Sequence, residues 1–154
     1  MLVFMLFSSC TKMVMSVDKK QEFKIKETLL IVTRDDPSIR DFIVSLKNYL
    51  ALNIESRNIK VTKQNILQDE QYDVAIPNLQ YIMDIKAEDI STSFKNQIIG
   101  KASFVVTIQD YKTKEIVWTS QIKIKRIFDS DKISTAKKMS KRIVENLDKA
   151  LIFN

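Results

Sequence analysis

KASFVVTIQDYKTKEIVWTSQIKIKR, residues 101–126, is the stretch that decides the fold. Apolar side chains alternate with polar or smaller ones from Ala102 to Ile108, and again from Ile116 to Ile124. This period of two is typical of strands with one buried face, and the polar segment between them, residues 110–114, is typical of a turn. The stretch therefore predicts an antiparallel hairpin with Trp118 in the core beneath it.

A strand, a helix and a second strand precede the hairpin. ETLLIVT, residues 27–33, is an apolar run rich in branched side chains, and NIKVTKQ, residues 58–64, is a weaker strand. Between them, Asp36 before Pro37 indicates a capped helix start, with Lys47 on the polar side of the helix. Its apolar side is formed at helical spacing by Ile39, Phe42, Ile43, Leu46, Tyr49 and Leu50. This order favours two parallel strands joined by a helical crossover.

The remaining patterns predict one more strand and a closing helix. LQYIMDIKAED, residues 79–89, resumes a strand pattern, and residues 133–151 carry an apolar stripe at helical spacing. A chain of 154 residues is long enough for one domain with a core of its own. We therefore expect an α/β (α+β) fold over residues 25–154. It is a single mixed β-sheet of about five strands with two main helices, in the order β-α-β-β-β-β-α.

Three features of the composition exclude whole classes of site. The sequence has no histidine, which removes Ser-His-Asp and Cys-His catalytic pairs and the commonest transition-metal ligand. Gly100 is the only glycine, so no GxGxxG loop and no P-loop can be written. Cys10 is the only cysteine, which excludes an internal disulfide framework or a cysteine cluster. We expect no enzymatic activity, no metal and no cofactor.

The acidic residues near the first helix are a candidate catalytic site. LLIVTRDDPSIRDFIVSLKNYL, residues 29–50, resembles the opening of a response-regulator receiver domain, where an acidic pair binds magnesium. Alignment on Pro37 puts Asp35 in one acidic position but Arg34 in the other, and a hairpin follows where further strand–helix units belong. We interpret Asp36 as a helix cap. An enzyme that uses Asp, Lys or Tyr side chains stays a third hypothesis, which a cleft holding several of Asp35, Asp36, Asp73 and Asp84 would favour.

The net charge of +6 comes from the last part of the chain. Residues 1–111 carry 14 basic and 14 acidic side chains, whereas residues 112–149 carry 11 and 5. The final helix is expected to present a basic face made of Lys137, Lys138, Lys141, Arg142 and Lys149. This face is a candidate surface for an anionic membrane or a protein partner, with plain solvated surface as the simplest interpretation. Nucleic acid is disfavoured because no aromatic side chains are interleaved with the basic ones.

The chain begins with MLVFMLFSSCTK, an apolar block that ends at the only cysteine. An apolar block followed by small residues is typical of a secretory signal, although no basic residue precedes this one. LFSSC, residues 6–10, resembles a bacterial lipobox, in which signal peptidase II cuts before a cysteine that becomes acylated. Ser8 and Ser9 match the small positions before the cysteine, whereas Phe7 stands where a lipobox usually has Leu, Val or Ile.

The lipobox resemblance implies a signal peptide over residues 1–9, lipid attachment at Cys10 and stable anchoring to a membrane. By the same resemblance, Thr11 after the cysteine favours the outer membrane, with the domain facing the periplasm. Residues 10–24 are polar and show no sustained period, so we expect them to form a tether.

FVVTIQDYKTKEIVW, residues 104–118, resembles the hairpin of the TolB N-terminal and CsgG-like envelope proteins, in which Asp-x-x-Thr-Gly precedes a strand ending in Trp. Asp110, Thr113 and Trp118 match, while Lys114 stands in place of the glycine. The resemblance implies a non-catalytic envelope lipoprotein that serves assembly or transport by binding another envelope protein or polymer. The alternative is a soluble basic domain that binds nucleic acid or a protein partner.

Overall fold

The computed structural model describes residues 12–72, 75–93, 98–128, 131–150 and 152–153. Their elements are β1 (Met13–Lys19), β2 (Thr28–Arg34), α1 (Arg40–Glu55), β3 (Lys60–Ile66), β4 (Leu79–Ser93), β5 (Ile98–Asp110), β6 (Ile116–Ile124), β7 (Ile127–Phe128) and α2 (Lys132–Lys149). Six strands form one mixed sheet in the order β1-β6-β5-β4-β2-β3, and the short β7 pairs with β5. The predicted α+β class, a mixed sheet with two helices, is confirmed.

The sheet has a parallel part and an antiparallel part. β2 runs parallel to both β3 and β4, so the predicted strand-helix-strand crossover is confirmed. β5 lies between β4 and β6 and is antiparallel to both, which confirms the predicted β5–β6 hairpin. The hairpin closes where the backbone N–H of Asp110 donates to the carbonyl of Glu115 at 2.9 Å.

The main hydrophobic core lies between one face of the sheet and the two helices. Phe42 of α1 stacks on Phe104 of β5 with the ring centroids 5.3 Å apart. Trp118 is fully buried, as predicted for the hairpin. A smaller cluster on the opposite face of the sheet is formed by Leu30, Val32, Ile66, Leu79 and Ile82. The helices therefore cover one face, and the segment between β3 and β4 contributes partly buried residues to the small cluster on the other.

The N-terminal part of the domain differs from the prediction. Residues 13–19, expected within a tether, form β1, which pairs antiparallel with β6 at the edge of the sheet. The ladder is framed by hydrogen bonds from Lys125 N–H to the carbonyl of Lys12 and from Lys20 N–H to the carbonyl of Val117. The tether prediction is wrong for these residues because Met13 joins the core and the strand pairs with β6 along its whole length. The predicted signal peptide and Cys10 lie outside the described residues.

The start of α1 also differs from the prediction. The helix begins at Arg40, and the residue before it, Ile39, makes no side-chain capping bond. Asp36 instead accepts a hydrogen bond from the backbone N–H of Ser38 at 2.9 Å, while its carbonyl accepts from Ile39 N–H at 3.1 Å. Asp36 and Pro37 therefore form a turn ahead of the helix, so Asp36 is not the helix cap.

Candidate functional site

The predicted lipid attachment site, Cys10, precedes the first described residue, Lys12. Only two residues separate Cys10 from Met13 in the sequence. From Lys12 onward the backbone is held by the domain, because Lys125 N–H donates to the Lys12 carbonyl at 3.1 Å. Arg142 Nη1 of α2 donates to the Met13 carbonyl at 2.6 Å. In the sequence, Thr11 is therefore the one residue between position 10 and this fixed backbone.

The predicted basic face of α2 is exposed at all five positions: Lys137, Lys138, Lys141, Arg142 and Lys149. Three of its members already interact within the molecule. Lys141 Nζ lies 3.8 Å from a carboxylate oxygen of Glu145, and Arg142 reaches the backbone of β1. Lys137 Nζ lies 5.9 Å from the centre of the Tyr49 ring. Lys137 and Lys141 line one groove, whereas Arg142 faces β1 and Lys149 lies at the end of the helix.

A groove of about 300 Å³ runs between α1 and α2 beside this basic face. Its walls include Tyr49, Asn53 and Arg57 of the α1 region. Asn53 Nδ2 donates to Ser140 Oγ at 2.8 Å, and the Arg57 guanidinium forms an ion pair with Asp148. Because these polar groups already bind partners on the other helix, the groove is part of the packing interface between α1 and α2.

The carboxylates weighed for catalysis have separate partners. Arg40 Nη2 lies 2.7 Å from Asp35 Oδ2, and this hydrogen bond is the main reason that the pKa of Asp35 is lowered. Asp36 binds Ser38, and Asp73 lies outside the described residues. Within the described ranges, no three acidic or thiol side chains are close enough together to hold a metal ion.

The fourth carboxylate, Asp84, belongs to a half-buried ion pair on the sheet face opposite the helices. Arg34 Nη2 lies 2.8 Å from Asp84 Oδ2, and Arg34 Nη1 donates to the carbonyls of Gln68 at 2.7 Å and Glu70 at 3.2 Å. The pair therefore holds the segment after β3 against the sheet. This ion pair is not visible in the sequence pattern, because only the parallel β2–β4 register brings Arg34 near Asp84.

Sequence analysis also missed a second basic surface, at the end of the sheet where β1 begins. We call it the basic rim; it comprises Lys12, Lys101, Lys123, Lys125 and Arg126, all exposed. The alternation in QIKIKR, residues 121–126, indicates that Lys123 and Lys125 share a face. That Lys12 and Lys101 join them follows only from the pairing of β1 and β5 with β6.

None of the helices in the described part of the chain is long and apolar enough to cross a membrane.

The architecture defines an α+β domain whose mixed sheet carries both helices on one face. No protein-family model and no curated protein matches the sequence significantly. Among solved structures, the chain is similar to the PelC dodecamer from Paraburkholderia phytofirmans, with 11% identity and a TM-score of 0.58 over 93% of this chain and 99% of that one. A point variant of PelC, also a dodecamer, gives 9% identity and a TM-score of 0.51 over 82% and 93%. At this identity the likeness shows the fold, and the expected relation to TolB and CsgG-like proteins stays a prediction.

Proposed function

We propose that this chain is a non-enzymatic lipoprotein of the cell envelope that acts as a binding or scaffold subunit in envelope assembly or transport. In this proposal Cys10 carries the lipid, the anchor lies in the outer membrane, and the domain faces the periplasm. The observation that supports it most is the likeness to PelC over nearly the full length of both chains, because both PelC structures are dodecamers.

The lipobox-like LFSSC, residues 6–10, supports the anchoring part of the proposal. The apolar run, the small residues and the only cysteine come in the order that acylation requires. The fold is consistent with it, because Lys12, two residues after Cys10 in the sequence, is bound to Lys125 at the beginning of β1.

We further propose that the partners include other copies of this chain. β1 is an edge strand, and on its outer side it pairs with no strand among the described residues. Two of its valines are exposed, Val14 by 50% and Val17 by 43%. An edge strand with exposed apolar side chains is a ready surface for pairing with another chain. Self-association would bury this edge.

The test uses the full chain produced in a Gram-negative host and extracted from membranes in mild detergent. We expect mass spectrometry to find an acylated N-terminal peptide that begins at Cys10, and light scattering to give a mass of several subunits. The matched control is Cys10→Ser, which should lose the lipid and be released from the membrane fraction by a high-salt wash, whereas the acylated chain should stay. An unmodified peptide beginning at Met1 would contradict the anchoring, and a monomer at every concentration would contradict the self-associating scaffold.

A further inference from the structure

Three lysines of the basic rim lie side by side across neighbouring strands. Continued by one residue, the β1–β6 and β5–β6 registers place Lys12 and Lys101 on either side of Lys125. The backbone confirms the first of these pairs, since Lys125 N–H donates to the Lys12 carbonyl at 3.1 Å. Directly opposed side chains in an antiparallel pair have Cβ atoms only about 5 Å apart. The sheet thus ends in a row of three adjacent cations.

All three point to the same face of the sheet, away from the helices. Met13, Ala102 and Ile124, which directly adjoin them in the chain, are buried in the main core, and successive side chains in a strand point to opposite faces. Lys123 lies two residues before Lys125 and shares this face. Residues 101–103 and 123–125 line a cleft of about 330 Å³, to which Asp89 adds a single carboxylate.

The charge of the basic rim is not compensated within the described chain. Its five side chains are all exposed, and none of them forms an ion pair with a described carboxylate. Like charges directly opposite each other in a sheet are unfavourable, so a row of this kind gains most from an anionic partner outside the molecule. A broad, exposed row suits an extended negative surface better than a small enclosed ligand.

The position of the row indicates which negative surface this is. Cys10 lies three residues before Met13, and an extended chain spans at most about 3.6 Å per residue, so the two Cα atoms are within about 11 Å. Electrostatic attraction in physiological salt acts over about 8–10 Å. Acyl chains at Cys10 would therefore bring the basic rim within reach of the lipid headgroups.

We propose that the basic rim rests on an anionic lipid surface and orients the domain with the starting end of β1 toward the membrane. Arg142, which binds the Met13 carbonyl, and Lys138 one turn earlier extend the positive charge along the adjoining side of α2. The location at the membrane rests on the proposed anchoring at Cys10. The affinity of the basic rim for anionic lipid does not require it.

The experiment measures binding of the full chain to vesicles without help from the lipid anchor. A Cys10→Ser chain is sedimented with phosphatidylcholine vesicles with and without phosphatidylglycerol, over a range of salt concentrations. We expect binding only to the anionic vesicles, weakening as salt is added. The triple variant Lys101→Glu, Lys123→Glu, Lys125→Glu should bind at least about tenfold less, because each basic residue near the surface contributes to the attraction.

A matched control makes the same change of charge at the opposite end of the sheet, near the β5–β6 turn and the start of β2: Lys20→Glu, Lys26→Glu, Lys112→Glu. These three residues are exposed and should leave vesicle binding within about twofold of the parent. Far-UV circular dichroism checks that each variant is folded. Should the glutamate variant unfold, replacement of the same three rim lysines by glutamine must still weaken binding.

Several outcomes would overturn the proposal. Equal loss in the rim and control variants would show a response to net charge alone. If the chain does not bind anionic vesicles, the basic rim is not a lipid-binding surface. This holds whatever the mass of the native N-terminus shows about acylation. Displacement of the chain from vesicles by an acidic polysaccharide that binds more tightly would assign the basic rim to a polymer. Acylation at Cys10 is read separately, so failure of anchoring and failure of this inference are distinguishable.

Discussion

Lys47 shows how tertiary packing overrides a helical pattern at a single residue. Its spacing places it on the polar side of α1, yet Lys47 is only 8% exposed. The ammonium donates to Asn65 Oδ1 on β3, and the same oxygen accepts from the hydroxyl of Thr33. Burial and, to a smaller extent, the positive charge of Lys63 lower the pKa of Lys47. The pattern could not show this, because β3 covers that side of the helix only in the folded chain.

Replacing Lys47 by methionine tests this burial through the pH dependence of stability. The pKa of Lys47 in the folded chain lies below its ordinary 10.5, so between the two values the unfolded chain binds more protons. The free energy of unfolding of the wild type therefore rises as pH increases through the folded pKa toward 10.5. We expect Lys47→Met to be as stable as wild type at neutral pH or up to about 1 kcal/mol more stable.

Urea unfolding of both proteins from neutral to alkaline pH checks this prediction. The difference in free energy of unfolding, wild type minus variant, should increase with pH. Leu52→Met, at an exposed position on the same helix, serves as the control for the effect of pH on the rest of the molecule, because it changes no titratable group. A pH-independent difference for Lys47→Met would contradict the lowered pKa.

Lys114 occupies a backbone position that favours glycine. Its φ is 65°, in the left-handed region, and it stands where the resembling envelope proteins carry a glycine in the hairpin turn. Its Nζ lies 3.9 Å from the centre of the Tyr111 ring, which offsets part of the backbone cost. We expect Lys114→Gly to be about 1 kcal/mol more stable than Lys114→Ala, because both lose the ring contact and only alanine keeps the strain. Urea midpoints decide the matter, and an alanine variant equal to the glycine variant would contradict it.

At the scale of elements, the sequence predicted those helices and strands whose apolar periodicity is long and regular. The β5–β6 hairpin, the β2-α1-β3 crossover and both helices rest on long apolar periods, and all were predicted. β1 was missed because Val14 interrupts the alternation of Met13, Met15 and Val17, as an edge strand with little burial allows. The basic rim was missed for the same reason, since it forms only when β1 pairs with β6. Pairing between distant segments is not visible in the period of either one.

A pair of proline substitutions tests whether residues 13–19 form the edge strand. In the β1–β6 ladder the bonded residues of β1 are the even-numbered ones, as the bonds at Lys12 and Lys20 show. The N–H of Ser16 therefore points to β6 and that of Val17 points outward. We expect Ser16→Pro to lower the free energy of unfolding by about 2–3 kcal/mol and Val17→Pro by about 1 kcal/mol or less.

Chemical unfolding of the two proline variants beside the wild type gives the comparison. Each substitution removes one backbone N–H in the middle of β1. The two variants therefore differ mainly in whether the lost N–H pointed to β6 or away from the sheet. A flexible tether would tolerate both equally. Equal and small effects would therefore contradict the strand.

At the scale of the whole molecule, one core joins the two ends of the described chain. The main cluster includes Met13 from β1 and Ile152 from the C-terminal segment. The backbone N–H of Ile25, ahead of β2, donates to the carbonyl of Ile152 at 2.9 Å. Arg57 lies 5.5 Å from the centre of the Phe153 ring, next to its ion pair with Asp148. The C-terminal segment therefore connects α2 to the entry of β2, and we expect sheet and helices to unfold together.

Ile152→Ala, in the C-terminal segment, tests whether the sheet and the helices unfold together. Ile152 is fully buried, so its truncation should lower the free energy of unfolding by about 2–4 kcal/mol, whereas Leu52→Ala at a position 63% exposed should cost less than about 0.5 kcal/mol. Trp118 fluorescence reports on the sheet and far-UV circular dichroism chiefly on the helices. With a single core, both signals must shift to the same lower urea midpoint in Ile152→Ala. A shift of the dichroism alone would mean that the C-terminal segment stabilises α2 without stabilising the sheet.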